Sequence, residues 1–265
     1  MKFGIVFKKE NQKAREVAGE ARKFLRKKGT NVVDESKLKD ADYILSFGGD
    51  GTLIHKASQF AYLGIPLIGI NTGNLGFLTA CEVGDWKSYV EKIITGDKIY
   101  ISKRITLDIE IEGSRDKHRA VNEVAVKGLY RVIDLKIIVN SEEFLNVQGD
   151  GVIVSTQTGS TAYSLSSGGP IVDSELDCFL VTPINPIGLP IPSVVLSPKD
   201  EIEVELTRGD DVSLVIDGQE HQKVKKGQSI KVLKGKWDVK LGYFDEHSFL
   251  KALNAKFGLK DRKIG

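Results

Sequence analysis

Residues 43–52 read YILSFGGDGT. The short apolar run 43–47 is typical of a buried strand, and it ends at two glycines. Glycines at this point let the backbone approach a ligand closely and turn sharply into a helix. Backbone N–H groups in such a turn, followed by a helix N-terminus, form a cradle suited to phosphate. The stretch therefore predicts a strand, a phosphate-binding turn and a helix in succession.

Asp50 is the informative residue of this turn. A carboxylate beside a phosphate site is electrostatically unfavourable unless it binds a metal or accepts a proton. A turn between a strand and a helix can also carry an aspartate simply as an N-cap. On these residues alone both interpretations stay open.

Strand and helix signals alternate on both sides of this turn. Short apolar runs predict strands, and apolar residues at helical spacing among charged ones predict amphipathic helices. The predicted elements are strands over 3–7 and 65–70 and helices over 14–24 and 86–94. Such alternation predicts a parallel sheet covered by helices, with ligands beyond the carboxyl ends of its strands. Residues 1–98 are therefore expected to form an α/β domain.

The pattern changes from about residue 99. Alternating or β-branched segments predict strands there, and helix signals are scarce until the C-terminus. These segments are 105–112, 120–128, 134–140, 201–207, 212–217, 229–235 and 238–244. The dipeptide DG at 217–218 predicts a hairpin turn. We expect residues 99–245 to form a β-rich domain, and residues 246–265 to contain a helix, over 247–257, that returns to the first domain.

Composition points to a globular protein. The chain has 265 residues, 41% hydrophobic and 28% charged, which is typical of soluble proteins and enough for two modest domains. A net charge of +2 gives no indication of nucleic-acid binding. No stretch approaches the roughly 20 apolar residues of a membrane helix, and the apolar start is too short for a signal peptide. Cys81 and Cys178 lie far apart, as expected of reduced cysteines in a cytoplasmic protein.

A second motif, over residues 149–171, reads GDGVIVSTQTGSTAYSLSSGGPI. The apolar strand 152–155 leads into closely spaced Ser, Thr and Gly, which offer many donors and acceptors to a polar ligand without filling space. Tyr163 can stack on a ring or hydrogen-bond through its hydroxyl. A Ser/Thr-rich surface loop is the alternative, although the Gly-Gly-Pro at the end favours a defined turn.

Asn122 and Glu123 interrupt an apolar strand predicted over 120–126. Adjacent residues of a strand point to opposite faces, so at least one of the two is expected to be buried. A buried amide or carboxyl needs a partner, and a ligand hydroxyl is one candidate. The alternative is an edge strand with solvated side chains.

Several known motifs are missing from the sequence. The chain has no G-x-x-x-x-G-K-[ST], no G-x-G-x-x-G after its first strand and no protein-kinase motif set. A P-loop enzyme is therefore excluded, and an oxidoreductase of the Rossmann type is disfavoured. His55, His118, His221 and His247 show no metal-ligand spacing, so no dedicated metal site is predicted.

Taken together, these segments resemble the NAD kinase family. The matching motifs are GGDGT at 48–52, NTGNLGF at 71–77, NE at 122–123, the whole of 149–171, TPINP at 182–186 and DGQ at 217–219. A GGDG motif is shared with diacylglycerol, sphingosine and phosphofructo-kinase relatives. TAYSLS within the long motif is far more specific, and it favours NAD kinase.

The resemblance implies a fold, an activity and a set of site residues. The implied fold has an α/β N-terminal domain with a parallel sheet and a β-rich C-terminal domain. The implied activity transfers the terminal phosphoryl group of ATP, or of polyphosphate, to the 2′-hydroxyl of the adenosine ribose of NAD, forming NADP. The family also implies Mg²⁺ carried by ATP and a homodimer or homotetramer.

The site residues carry over by position, and Asp50 matches the family's catalytic aspartate. The implied NAD-binding residues are Asp50, Gly51, Phe77, Asn122, Glu123, Asp150, Thr161, Ala162, Tyr163, Ser164, Ser166 and Gln219. The implied phosphate- and nucleotide-binding residues are Gly48, Gly49, Gly51, Thr52, His55 and Arg131.

Four positions depart from the family pattern. Gln148 stands where many members have Arg, Gln157 where they have Pro, and Ile187 and Ile191 at about the places of His and Arg. The reaction class is unaffected, but the phosphate donor, the preference for NAD over NADH and the subunit contacts stay open. Two other functions remain as alternatives: a lipid or sugar kinase of the same superfamily, and a non-catalytic sensor of NAD or NADP.

Overall fold

The computed structural model describes residues 1–73, 76–188, 190–246 and 248–258. They divide into two compact units, residues 1–103 together with the segment from residue 239 onward, and residues 104–238. These boundaries differ from those expected at residues 98 and 245. The reason is that the strands Tyr100–Arg104 and Val239–Tyr243 belong to the sheet of the first unit.

The elements are numbered in chain order. The strands are β1 (Lys2–Phe7), β2 (Asn31–Val33), β3 (Tyr43–Gly48), β4 (Leu67–Asn71), β5 (Cys81–Glu82), β6 (Tyr100–Arg104), β7 (Leu107–Ile111), β8 (Lys117–Ala120), β9 (Glu123–Gly128), β10 (Ile133–Val139), β11 (Glu142–Gly149), β12 (Gly151–Thr156), β13 (Phe179–Ile184), β14 (Val194–Leu196), β15 (Ile202–Arg208), β16 (Val212–Ile216), β17 (Gln219–Val224), β18 (Ser229–Lys234) and β19 (Val239–Tyr243). The α-helices are α1 (Gln12–Lys27), α2 (Asp50–Phe60), α3 (Trp86–Thr95), α4 (Tyr163–Ser166) and α5 (Ser248–Phe257). Short 3₁₀ helices lie at Glu35–Asp40, Ala61–Leu63 and Thr158–Thr161.

The first unit is built on a sheet with the strand order β2-β1-β3-β4-β19-β6, in which β5 also pairs with β4. The pairs β1–β2, β1–β3, β3–β4, β4–β5 and β4–β19 are parallel. Gly48 lies beside Asn71 in the β3–β4 register, so the turns after these two strands meet at one edge of the sheet. Helices α1 and α3 join the apolar core of this sheet through residues such as Leu25 and Trp86.

The second unit is a β-sandwich. Within the described residues it has two antiparallel sheets of six strands each, β11-β10-β15-β18-β7-β8 and β14-β13-β12-β9-β16-β17. Apolar side chains from both sheets form one core. β10 and β15 alternate buried and half-buried residues, whereas β12 and β13 are buried on both faces. The predicted fold class, an α/β part with a parallel sheet and a β-rich part, is confirmed.

Helix ends follow the sequence signals. α1 begins after Asn11, whose side chain accepts a hydrogen bond from the Ala14 N–H. α3 begins after Asp85 and ends at Gly96, which has a left-handed φ of 92°. α5 covers most of the predicted helix 247–257, and His247 lies outside the described residues. Across the described ranges, the helices are too short or too polar to cross a bilayer.

Candidate active site

The turn between β3 and α2 brings backbone N–H groups to the edge of the first unit's sheet. Gly49 occupies the N-cap position and α2 begins at Asp50. A Cβ on Gly48 would lie 2.5 Å from the Thr52 side chain, so only glycine lets the strand end this close to the helix. The Thr52 N–H donates to the Gly49 carbonyl at 3.0 Å, whereas the N–H groups of Asp50 and Gly51 precede the first helical hydrogen bond. The helix dipole makes this end attractive to phosphate.

Asp50 is held by the loop that follows β4. Its Oδ2 accepts a hydrogen bond from the Phe77 N–H at 2.6 Å, and its Oδ1 accepts one from the Leu78 N–H at 3.1 Å. A Cβ on Gly76 would overlap Asp50 Oδ1, so this close approach requires glycine. A carboxylate offers about four lone-pair positions, so two remain for a ligand proton or a metal-bound water.

The loop that holds Asp50 is itself fixed by the C-terminal part of the chain. The Phe77 ring lies 6.1 Å from the Phe257 ring of α5, and Lys256 Nζ stands 3.9 Å above the centre of the Phe77 ring. The Tyr243 hydroxyl of β19 donates to the Leu78 carbonyl at 3.1 Å. Asn74 and Leu75 of the motif at 71–77 lie outside the described residues. The Phe77 contacts explain how α5 belongs to the first unit.

Asn122 and Glu123 are both buried in the second unit, with 9% and 5% of their surface exposed. The prediction that they share one strand is wrong, because β9 begins only at Glu123. The backbone N–H groups of residues 121–123 donate to the Asp217 carboxylate instead of continuing the strand. Among the described residues, Asn122 Oδ1 and Glu123 Oε2 have no hydrogen-bond partner. Two buried oxygens are therefore available to a ligand.

Burial raises the pKa of the Glu123 carboxyl to about 8. The negative charge of Asp217 acts in the same direction, whereas the Tyr163 backbone N–H, which bonds the carboxylate, opposes the rise. At neutral pH the Glu123 carboxyl is thus protonated in most molecules, and a protonated carboxyl can both donate and accept a hydrogen bond. That combination suits a ligand hydroxyl.

This raised pKa predicts that the Glu123 carboxyl weakens the fold as the pH rises. The folded protein binds a proton that the unfolded chain has released, so the stability contribution is complete below about pH 4.5 and is lost up to about pH 8. We expect the free energy of unfolding of wild type relative to Glu123→Gln to fall by about 1.4 kcal/mol per pH unit within this window. Urea unfolding at several pH values measures it. Glu142→Gln, at an exposed position of β11, is the control, and parallel pH profiles of wild type and Glu123→Gln would contradict the assignment.

The Ser/Thr/Gly segment forms a defined turn after β12. Ser160 Oγ donates to the Gln157 carbonyl at 2.7 Å and accepts from the Val172 N–H at 3.1 Å. Ser164 Oγ bonds Thr182 Oγ1 at 3.0 Å in the interior. The hydroxyls of Ser160 and Ser164 therefore hold the turn together from inside.

Other predicted residues of this segment are more accessible. Thr161, Ala162 and Tyr163 are half-buried, and Ser166 is exposed. Gly159 packs so closely under residue 122 that a Cβ there would overlap the Asn122 carbonyl oxygen. The Ser/Thr/Gly segment thus lies directly against Asn122, so that the two can contact the same ligand. Gln219, the first residue of β17, is also exposed.

A polar cavity of about 330 Å³ lies beside Tyr163. Its lining brings together the predicted residues Arg131, Asp150 and Tyr163. Arg131 therefore lies in the second unit, whereas Gly48, Gly49, Gly51, Thr52 and His55 all lie in the first.

Lys127 and Asn185 also line this cavity with polar side chains, and neither is among the predicted site residues. Lys127 Nζ stands 5.8 Å from the centre of the Tyr163 ring, and Asn185 Nδ2 donates to Asp150 Oδ2 at 2.8 Å. Asn185 belongs to the TPINP motif, and Lys127 is the cation that ends an otherwise apolar strand. Those two signals were present in the sequence.

Two of the four departures from the family pattern, Gln148 and Gln157, have side-chain hydrogen-bond partners. Gln148 Nε2 donates to Asp134 Oδ1 at 3.1 Å, and the same Asp134 carboxylate pairs with Arg208. Gln157 is buried, and its Nε2 donates to Asp177 Oδ1 at 3.2 Å. This hydrogen bond to Asp177 ties the start of the Ser/Thr/Gly turn to a separate segment of the chain.

Two family profiles match the chain. Residues 38–99 match the ATP-NAD kinase N-terminal domain, and residues 121–242 match the ATP-NAD kinase C-terminal domain. An NAD kinase of Fusobacterium nucleatum subsp. nucleatum is 33% identical over 261 residues, which cover 97% of each chain. An NAD kinase of Desulforamulus reducens is 40% identical over 195 residues, which cover 71% of this chain and 67% of the relative.

Two solved structures have a similar fold. Yeast NADH kinase complexed with NADH gives a TM-score of 0.89 at 21% identity, over 100% of this chain and 89% of that chain, and bears on the fold alone. An NAD kinase from Archaeoglobus fulgidus in complex with ATP gives a TM-score of 0.77 at 26% identity, over 96% of this chain and 98% of that chain. By its two matched domains and its full-length relatives, the chain belongs to the NAD kinase family.

Proposed function

We propose that this chain is an NAD kinase, which transfers the terminal phosphoryl group of ATP to the 2′-hydroxyl of the adenosine ribose of NAD and so forms NADP. The observation that carries the proposal is the Asp50 carboxylate, held by two backbone N–H groups at the start of α2. Named NAD kinase relatives and the ATP-bound structure support the acceptor and the donor.

The donor phosphates bind at the turn before α2. Gly48, Gly49, Gly51 and Thr52 offer backbone N–H groups and a hydroxyl, and His55 lies one helical turn further along. The turn at residues 48–52 would hold Mg²⁺ together with the ATP phosphates, since this ion keeps several waters and binds substrate oxygens. Its chemistry is to neutralise the charge of the transferred group.

Asp50 acts as the general base. The ribose 2′-oxygen attacks the terminal phosphorus, the bond to the bridging oxygen breaks, ADP leaves, and the hydroxyl proton passes to the Asp50 carboxylate. The bonds from the Phe77 and Leu78 N–H groups keep this carboxylate in one orientation. Preorganisation of this kind lowers the cost of reaching the transition state.

The acceptor is bound by residues of the second unit. Asn122 and Glu123 offer buried oxygens to ribose hydroxyls, and Tyr163 offers a ring on which a base can stack. The predicted contacts Asp150, Thr161, Ala162, Ser166 and Gln219 complete the acceptor site, with Arg131 beside Asp150. The predicted contact Ser164 is buried and supports the site from inside, through its bond to Thr182. Phe77 and Gly51 are further acceptor contacts that the family resemblance implies.

Replacing Tyr163 by alanine is expected to weaken NAD binding about tenfold, because stacking of a base on an aromatic ring is lost. ATP binding should stay at the wild-type value. Calorimetric titration of both nucleotides measures the two affinities. Tyr163→Phe, which keeps the ring, is the control, and equal losses for NAD and ATP would count against the assignment.

An acceptor competition tests the proposed function directly. NAD, a diacylglycerol and a sugar phosphate are offered together with ATP labelled at its terminal phosphate, and in a parallel reaction with labelled polyphosphate. We expect label in NAD. Label in the lipid or the sugar would establish one of the alternative kinases, and NAD binding without any transfer would establish a sensor.

We extend the proposal to a cytoplasmic homodimer or homotetramer. Large apolar side chains stand exposed on the second unit, 85% for Tyr130, 53% for Ile187 and 45% for Phe144. Aromatic residues on a surface are enriched at protein–protein contacts. Light scattering of the purified protein measures the mass.

A further inference from the structure

The Asp217 carboxylate binds the backbone of a segment 94–96 residues earlier in the chain. Its Oδ2 accepts from the Val121 N–H at 2.9 Å, and its Oδ1 accepts from the Asn122 N–H at 2.8 Å and the Glu123 N–H at 3.2 Å. The Asp217 N–H in turn donates to the Glu123 carbonyl at 3.0 Å. Hydrogen bonds to a charged acceptor are stronger than those between neutral groups.

The turn between β16 and β17 aims this carboxylate. Ile216 lies opposite Val124 in the β16–β9 register, so Asp217 comes next to Glu123. Asp217 has a φ of 46° and Gly218 a φ of 76°, the left-handed pair that a tight two-residue hairpin turn requires. The hairpin therefore places a charged acceptor beside the irregular segment 121–122, whose N–H groups bond this carboxylate.

Thr156 holds the same segment from its other side. The Thr156 hydroxyl donates to the Val121 carbonyl at 2.7 Å, and the Thr156 N–H donates to the Asn122 carbonyl at 2.9 Å. The N–H groups of this segment are thus bonded to Asp217, and its carbonyls at residues 121 and 122 are bonded to Thr156, which restrains the segment from both sides. The side chains of Asn122 and Glu123 are thereby oriented, and each keeps one buried oxygen without a partner among the described residues.

We propose that Asp217 is a positioning residue of the acceptor site, which fixes residues 121–123 so that the free oxygens of Asn122 and Glu123 meet the bound dinucleotide. The inference rests on the proposed function, since it assigns these oxygens to NAD. The charge of Asp217 has a second effect: it helps to raise the pKa of Glu123, after burial, and so keeps the carboxyl able to donate a hydrogen bond.

Asp217→Asn is the informative variant. Asparagine tolerates a left-handed φ and keeps one oxygen, but it loses the negative charge and turns an amide NH₂ toward a backbone N–H. We expect the KM for NAD to rise about tenfold, the scale of a lost charge-assisted hydrogen bond. The KM for ATP and the kcat at saturating NAD should stay at their wild-type values. A variant that was merely less stable would lose active enzyme, and so kcat, with an unchanged KM for NAD.

Asp211→Asn is the matched control. Asp211 also has a left-handed backbone, with a φ of 52°, and it stands exposed at the opposite end of β16. Its variant should have wild-type constants. If wild type forms NADP and Asp217→Asn shows an unchanged KM for NAD, the positioning role is wrong and the proposed function stands. If wild type forms no NADP, the proposed function itself fails.

Amide hydrogen exchange keeps the inference testable should Asp217→Asn fail to fold. In the wild-type protein the N–H groups of residues 121–123 should exchange as slowly as those of β9, although residues 121 and 122 lie outside any strand. Fast exchange at residues 121–123 in wild type would overturn the anchoring role of Asp217.

Discussion

Replacing Asp50 by asparagine is expected to lower the kcat of NADP formation by about a hundred- to ten-thousand-fold, the usual scale of general-base catalysis. The asparagine side chain has nearly the same size as that of aspartate, but it has no carboxylate to accept the ribose proton. The NAD-binding residues of the second unit are untouched, so the affinity for NAD should remain close to that of wild type. Steady-state kinetics and calorimetric titration of NAD measure the two quantities.

Asp85→Asn is the control, because Asp85 immediately precedes α3 and Asp50 is the first residue of α2, so both are aspartates at a helix N-terminus. Asp85 is exposed, and its variant should have wild-type turnover. Near-normal turnover of Asp50→Asn would remove Asp50 from the role of base.

Gly76→Ala should lower kcat about a hundredfold by displacing Asp50 while leaving its carboxylate in the protein. The new Cβ would overlap Asp50 Oδ1, so the carboxylate must move away from the Phe77 and Leu78 N–H groups. A displacement of about 1 Å at a reacting group can cost that much. The overlap should also lower the free energy of unfolding by about 1–3 kcal/mol. Kinetics and thermal unfolding of the same preparation separate the two effects.

Gly73→Ala is the control from the same loop. A Cβ on Gly73 would meet Asn71 Oδ1 at 3.9 Å, an ordinary contact, and Gly73 carries no left-handed φ. This variant should keep wild-type kcat and stability. If both alanine variants keep wild-type kcat, the fixed position of Asp50 has no part in turnover.

Local sequence patterns were sufficient to predict the strands and the phosphate-binding turn of the first unit. The apolar run before Gly48 and the run before Asn71 each end at a turn, and parallel pairing brings those two turns together. Period and turn residues are local signals, so the strand, the turn and the helix at Asp50 could be derived from ten residues. The hydrogen bonds from Phe77 and Leu78 to Asp50 could not, because they depend on how the loop after β4 closes.

The acceptor side depends on contacts between distant residues. The sequence around Asp217 predicts a hairpin turn, and β16 and β17 do form a hairpin. Nothing local to Asp217 indicates that its carboxylate reaches residues 121–123, since this follows from the β16–β9 register. For the same reason Asn122 was predicted inside a strand, when its N–H is bonded to Asp217.

A strand made of polar residues could not be predicted from the hydrophobic pattern of the sequence. β17 reads QEHQKV, which has almost no apolar residues to reveal a strand, and it lies at the edge of its sheet. Edge strands face solvent and carry polar residues without penalty. Local patterns do not indicate the order of the strands in the sheets. They therefore do not predict the cavity that Lys127 and Asn185 both line.

The position of the phosphate on the product tests the proposed NAD kinase activity most directly. Purified protein is incubated with NAD, Mg²⁺ and ATP labelled at its terminal phosphate, and the labelled dinucleotide is offered to a dehydrogenase that accepts only NADP. We expect all labelled dinucleotide to be reduced, because the phosphate is on the 2′-oxygen of the adenosine ribose, and we expect Asp50→Asn to form almost none. A labelled dinucleotide that the dehydrogenase does not reduce, or label that never enters NAD, would contradict the proposed activity.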